Sequence, residues 1–159
     1  MKTCCFTGPR PFKLGFEKDS DPRCVELKKK INNEIGKLYQ RGFTNFLSGM
    51  AEGVDIYCAE AVIELKKTYK DVTLTAVFPY NHKGKDREEK ERDRLVEILR
   101  NTDKVITLQE NYSPGCFYKR NRYMVDNSDL LFAVYNNTGG TAYTIKYAAD
   151  TNKPIKICP

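Results

Sequence analysis

Short apolar runs alternate with helical patterns along the chain, and this alternation constrains the fold more than any other feature of the sequence. The apolar runs fall at residues 3–7, 45–47, 73–78, 105–108, 130–135 and 154–157. Between them the apolar positions switch from a strand period to a helix period. Leu27, Ile31, Ile35 and Leu38 make one stripe, in a helix that starts near residues 20–22 and stops just before Gly42. Val54, Cys58, Ala61, Val62 and Leu65 give the inner face of a helix over residues 55–69, and Leu95, Ile98 and Leu99 that of one over residues 85–101. A further helix is predicted at residues 115–127. After the next strand, Ala142, Ile145, Ala148 and Ala149 form a small-residue face that lets a last helix lie close to the sheet. Strands joined through helices imply right-handed crossovers and a mainly parallel sheet covered on both faces. The predicted fold is an α/β Rossmann-like three-layer sandwich of about six strands, with residues 154–157 as an edge strand. A length of 159 residues suits one domain, 1–159, and is too short for two ordinary ones. The loop-rich insert at residues 13–21 reads as a mobile lid or surface loop.

Two glycine-bearing turns occupy corresponding places in two strand–helix units. Ser48-Gly49-Met50-Ala51-Glu52-Gly53-Val54-Asp55 follows the second apolar run, and Asn136-Asn137-Thr138-Gly139-Gly140-Thr141 follows the fifth. Glycine lets backbone approach an anion closely, and the free N–H groups of a following helix point at it with the positive end of the helix dipole behind them. In open parallel sheets ligands collect at the carboxyl ends of the strands, where the strand order reverses. All the unusual turns lie at that end: residues 8–11, 49–55, 79–80, 110–116 and 136–141. The first glycine turn also reads as a tight connection with Asp55 as an N-terminal charge, which needs no ligand. Gly139-Gly140-Thr141 adds a hydroxyl to bare backbone donors. Neither turn is a Walker A loop or a G-x-G-x-x-G fingerprint, which sets aside kinase, GTPase and standard dinucleotide dehydrogenase readings.

Composition narrows the chemistry further. Six cysteines (Cys4, Cys5, Cys24, Cys58, Cys116, Cys158) are scattered without a C-x-x-C pair, as expected of reduced thiols acting as small hydrophobes. His82 is the only histidine, so a cysteine–histidine metal site and a serine–histidine–aspartate triad are poorly supplied; no metal and no cofactor is expected. No apolar run approaches the roughly 20 residues that span a bilayer, and no signal-peptide core precedes Gly8-Pro9; a cytoplasmic protein without a membrane partner is expected. The net charge of +6 suits an anionic ligand or nucleic acid. The densest charged stretch, residues 83–94, mixes signs and sets Asp86 four residues before Lys90 and Glu88 four before Arg92, the order of helix-surface ion pairs. On that pattern a nucleic-acid partner is judged unlikely.

Individual residues keep two readings each. Arg10, between Pro9 and Pro11, is presented on a stiff turn, either gripping a phosphate or carboxylate in bidentate fashion or exposed to solvent. Arg120 and Asn121 lie in mid-helix beside Met124 and Val125, as ligand contacts or as a helix-packing hydrogen bond. Tyr80, after Pro79, is a base-stacking platform or packing.

Taken together, Cys5-Phe6-Thr7-Gly8-Pro9-Arg10-Pro11, the residue 48–55 turn, Pro79-Tyr80, Arg120-Asn121-Arg122-Tyr123-Met124-Val125-Asp126 and Gly139-Gly140-Thr141 resemble the YpsA-like branch of the SLOG superfamily over nearly the whole chain. The resemblance implies kinship with the DNA-processing protein DprA and with LOG phosphoribohydrolases, and a pocket for nucleotides or nucleotide-derived signals. Two departures stand out. The branch usually carries Gly-His-Arg-Pro where this chain has Gly8-Pro9-Arg10-Pro11, and the catalytic glutamate of the LOG signature is absent after Gly139-Gly140-Thr141, where Ala142, Tyr143, Thr144 and Ile145 follow. The leading expectation is a module that senses or sequesters a nucleotide-derived molecule, ADP-ribose-like or a cyclic nucleotide. Its expected contacts are Gly8, Arg10, Gly49, Met50, Glu52, Gly53, Tyr80, Arg120, Asn121, Gly139, Gly140 and Thr141. An alternative is hydrolysis of the N-glycosidic bond of a nucleoside monophosphate with Glu52 or Asp55 assisting, and a third is DprA-like binding of single-stranded DNA. The aromatic-rich stretch of Tyr112, Phe117, Tyr118 and Tyr123 predicts a homodimer or higher homo-oligomer, or else aromatics packed over the pocket.

Overall fold

The computed structural model describes residues 2–82, 84–134 and 139–159. Lys83, Tyr135 and the first part of the second glycine turn, Asn136-Asn137-Thr138, lie outside the described residues. In chain order the elements are β1 (Lys2–Thr7), α1 (Pro11–Leu14), α2 (Pro22–Gln40), β2 (Phe43–Ser48), α3 (Val54–Thr68), β3 (Thr73–Phe78), α4 (Glu89–Arg100), β4 (Lys104–Thr107), α5 (Cys116–Asp126), β5 (Leu130–Ala133), α6 (Gly139–Asp150) and β6 (Ile155–Ile157). The strands form one sheet in the order β4-β3-β2-β1-β5-β6, every neighbouring pair parallel. This is the Rossmann-like α/β arrangement that the alternation predicts, with β6 at one edge and β4 at the other.

Period-two alternation sorts the strand side chains between two cores. Cys4, Phe6, Phe46, Leu74, Ala76, Phe78, Leu130 and Phe132 face a large core shared with α2, α3 and α4. Cys5, Leu47, Val77 and Leu131 face a smaller one closed by Met124 and Val125 of α5 and Ala148 of α6. Phe6 stacks on Phe46 at 5.9 Å and meets Phe132 edge-on at 6.0 Å, and full burial of each ring contributes about 1.5–3 kcal/mol. The buried cysteines behave as small hydrophobes, and burial pushes the Cys5 thiol up to about 12.

Helix boundaries follow local chemistry. Asp21 caps α2 by accepting the Arg23 N–H at 2.9 Å with Pro22 at the first position, and Gly42, at φ +97°, turns the chain after it. The helix predicted from residue 85 starts instead at Glu89, because Gly84 at φ +86° and a run of turns precede it. Asp86 therefore lies outside α4, and Arg94 of α4 pairs with Glu60 and Asp19. That pairing pins the insert at residues 13–21: Asp19 binds Lys28 at 2.6 Å and Arg94 at 2.8 Å, while Phe16 is buried in the larger core. Those pairs tie the insert to α2 and α4 along the surface. No helix among the described residues is long and apolar enough to cross a membrane.

Candidate functional site

The strand order reverses between β1 and β5, and a cavity of ≈ 260 Å³ opens above that point. Its floor is the end of β1, where Thr7 and Gly8 run into the Pro9-Arg10-Pro11 turn, and α1 adds Phe12 and Lys13. Phe117, Tyr118, Arg120 and Asn121 line it from α5, Asp55 from α3, and Gly140 and Thr141 from the first turn of α6. That turn holds no acidic residue, and its leading N–H groups have no partner within the helix. Lys13 lies close beside Gly139, where an added Cβ would fall on its ammonium. The cavity thus gathers two arginines, a lysine and a helix N-terminus around one buried carboxylate.

A second cavity of ≈ 140 Å³ adjoins the first above the ends of β2 and β3. It shares Arg10, Ala51, Phe117 and Arg120 with the main cavity and adds Gly49, Glu52, Pro79, Tyr80, His82, Asp86 and Arg87.

Arg120 joins the two. It is 4% exposed and extends from α5 under the ends of β2 and β3, donating from Nη1 to the carbonyls of Gly49 at 2.8 Å and Val77 at 3.3 Å. Its Nε donates to the Asn121 side-chain oxygen at 2.8 Å, so the two residues act as a unit. Gly49 makes this possible, since a Cβ there would come within 2.7 Å of the Arg120 guanidinium and 2.9 Å of Asp55 Oδ2. Burial pushes the Asp55 carboxyl above its ordinary range, against the pull of Arg120, of the Ala51 N–H at 3.3 Å, and of Arg10 and Arg87. The His82 imidazole is held below its ordinary value by burial first and by the Arg87 charge second.

The expected site residues divide by place. Gly8, Arg10, Arg120, Asn121, Gly140 and Thr141 line the main cavity, and Gly49, Glu52 and Tyr80 the adjoining one. Met50 and Gly53 line neither. Met50 is fully buried in the larger core with φ +58°, and a Cβ at Gly53, φ +93°, would lie 2.7 Å from the Pro9 carbonyl oxygen. Gly139 sits beside Lys13 at the mouth of α6 without lining either cavity. Tyr80 is ringed by His82 at 4.3 Å, Tyr112 at 5.6 Å and Phe117 at 6.2 Å. Tyr118 meets Tyr143 at 4.3 Å, and Arg122 donates to the Tyr143 hydroxyl. Most of the aromatic surplus near α5 is thereby placed around the two cavities. Phe12, Lys13 and Arg87 are lining residues that sequence reasoning did not single out. The proximity of residues 12 and 13 to Arg10 on the same stiff turn was a usable signal for the first two. Arg87 had none, being read as part of a solvated helix.

A doubly wound parallel sheet with a polar, arginine-lined cavity at its switch point defines the class of this protein. Residues 4–157 match the YspA SLOG family, and the chain belongs to that family. It is 29% identical over 160 residues to a UPF0398 protein of Bacillus pumilus, covering 98% of this chain and 86% of the relative. It is 28% identical over 138 residues to the UPF0398 protein YpsA of Bacillus subtilis, covering 86% and 77% of the two chains. In three dimensions it resembles DNA processing protein A from Helicobacter pylori, a protein described for its single-stranded DNA binding mode. The TM-score is 0.62 at 17% identity, over 98% of this chain and 64% of that one. This likeness speaks against the judgement that a nucleic-acid partner is unlikely. That judgement read residues 83–94 as a solvated helical face, yet Asp86 and Arg87 precede α4 and line the adjoining cavity, while the Arg94 charge is engaged with Glu60 and Asp19.

Proposed function

We propose that the chain binds a nucleotide-derived small molecule, ADP-ribose-like or a cyclic nucleotide, in the switch-point cavity, and so senses or sequesters it. The observation that carries this reading is the meeting of Arg10 and Arg120 with the Gly140-Thr141 turn across one cavity at the β1/β5 reversal. Guanidinium groups and the first N–H groups of a helix both select phosphate oxygens. Two rings that line the same cavity are exposed, Phe12 at 72% and Tyr118 at 43%, and supply apolar surface for a base or ribose. The hydrolase alternative is less well supported. Asp55 is buried against Arg120 and the Ala51 N–H, an arrangement suited to positioning Arg120, and Glu52 lines the adjoining cavity instead.

Native mass spectrometry of protein purified without denaturation tests the reading. A mass shift equal to a nucleotide, lost in the Gly140→Asp variant, supports it. A bare protein mass together with no heat of binding for any ribonucleotide overturns it. Release of free base and ribose phosphate on incubation would move the assignment to the hydrolase.

A second reading is favoured by the likeness to the Helicobacter pylori protein: the same cationic rim takes the backbone of a single nucleic-acid strand. Fluorescence anisotropy with a labelled oligodeoxythymidine, at increasing salt, separates the two. A strand that binds in a salt-sensitive way, and that mononucleotides fail to displace, supports the second reading over the first.

A further inference from the structure

The smaller cavity contains a cation whose hydrogen bonding is incomplete. Arg87, in the turns before α4, is fixed by donating from Nη2 to the Met50 carbonyl oxygen, while its Nη1 is buried with no hydrogen-bond partner among the described residues. Two further guanidinium groups, Arg10 and Arg120, stand in the wall shared with the main cavity. The three are close enough that Arg10 disfavours the charged forms of both others, and Arg87 that of Arg120. Among its charged neighbours Glu52 favours the Arg87 cation most, with Arg10 opposing it, but Glu52 makes no hydrogen bond to Nη1; Asp55 is buried against Arg120, and Asp86 is exposed. The aromatic lining argues against a base in this lobe. Tyr80 is engaged by His82 in a tilted ring contact and by Tyr112 and Phe117 edge-on.

We infer that the smaller cavity is a second anion subsite, in which the unpartnered Nη1 of Arg87 receives the outer phosphoryl group of a nucleoside diphosphate moiety. The inner phosphoryl group lies in the main cavity, and the wall of Arg10 and Arg120 that the two lobes share spans the bridge between them. The inference rests on the main cavity being a nucleotide site and narrows its ligand: a diphosphate fits both lobes, and a cyclic mononucleotide with one phosphoryl group leaves Nη1 of Arg87 without a hydrogen bond. Arg87 then sets specificity.

The test is calorimetric titration of the full chain with the four ribonucleoside monophosphates and the four diphosphates, for the native sequence, Arg87→Ala and Arg87→Lys. The native chain is expected to bind at least one diphosphate tenfold or more tightly than its monophosphate. Arg87→Ala should erase that ratio while leaving monophosphate affinity within twofold, and Arg87→Lys should fall between. Equal affinity of the native chain for every mono- and diphosphate pair overturns the subsite while leaving the main-cavity reading intact, and this arm does not depend on any variant folding. Equal weakening of mono- and diphosphate by Arg87→Ala overturns it as well. If no nucleotide of either kind binds, the reading of the main cavity fails and the subsite with it.

Discussion

The turn after β2 and the turn that opens α6 both place glycines at the carboxyl edge of the sheet, but the space beside those glycines is filled differently. At the first, the protein supplies its own anion. Asp55 accepts the Ala51 N–H and faces Arg120, the Arg120 guanidinium fills the space beside Gly49, and the Pro9 carbonyl fills that beside Gly53. At the second, the first turn of α6 has no acidic residue, and a Cβ built on Gly140 meets, among the described residues, nothing nearer than Asn121 Nδ2 at 3.9 Å. A glycine turn before a helix therefore marks a place for an anion without saying whose anion it is. In the first turn an internal carboxylate organises the arginine; in the second the first turn of the helix holds no such carboxylate.

This contrast is open to direct attack. The largest effect is expected for Arg120→Met, which leaves Asp55 buried without its cation and should cost about 3–5 kcal/mol in urea denaturation near neutral pH. Burial raises the folded-state pKa of Asp55 and Arg120 opposes that rise, so removing Arg120 raises it further. The loss should be full where Asp55 is ionised in both folded proteins and should shrink as pH falls through the variant's higher folded-state pKa to the native one, where protonation removes the buried charge. A cost that does not vary with pH would separate the loss from Asp55. Next comes Gly49→Ala, whose Cβ presses on the same guanidinium from the other side and should destabilise by about 1–3 kcal/mol in the same assay. Arg10→Ala should weaken a phosphorylated ligand by about 1.5–3 kcal/mol in calorimetric titration, as for loss of a charge-assisted hydrogen bond. Unchanged affinity would make Arg10 a bystander. The smallest effect is expected for Gly140→Ala, with stability within about 0.5 kcal/mol of native, since the added methyl enters free space at a helical position.

What the sequence conveys about this protein depends on the range over which each feature is determined. The strands and their carboxyl-end turns were legible because period-two apolar runs such as residues 73–78 and caps such as Asp21-Pro22 are local signals. The start of α4 was misplaced for a related reason. Residues 85–88 carry a helix-like charge pattern, but Gly84 adopts φ +86° and Arg87 reaches for the Met50 carbonyl, a contact across 37 positions that no local pattern encodes. The candidate site shows the same division. Arg10 and Gly140 stood out from their neighbours in sequence, whereas the ambiguity of Arg120 between ligand contact and packing was real: it lines both cavities while bonding two backbone carbonyls. Tyr80 had the right position for a stacking platform, and only the fold reveals the three rings already placed around it.

The central claim is that the α6 turn, unlike the β2–α3 turn, presents its donors to an external phosphate. Calorimetric titration of Gly140→Asp with the tightest-binding nucleotide found for the native chain, paired with a urea denaturation of the same variant, tests this most directly. The account predicts a folded protein, with a denaturation midpoint close to native because the Gly140 position has room for a side chain, and no measurable heat of binding because the new carboxylate occupies the place of the phosphate. A folded variant that binds the nucleotide with native affinity would contradict it and remove the α6 turn from the site.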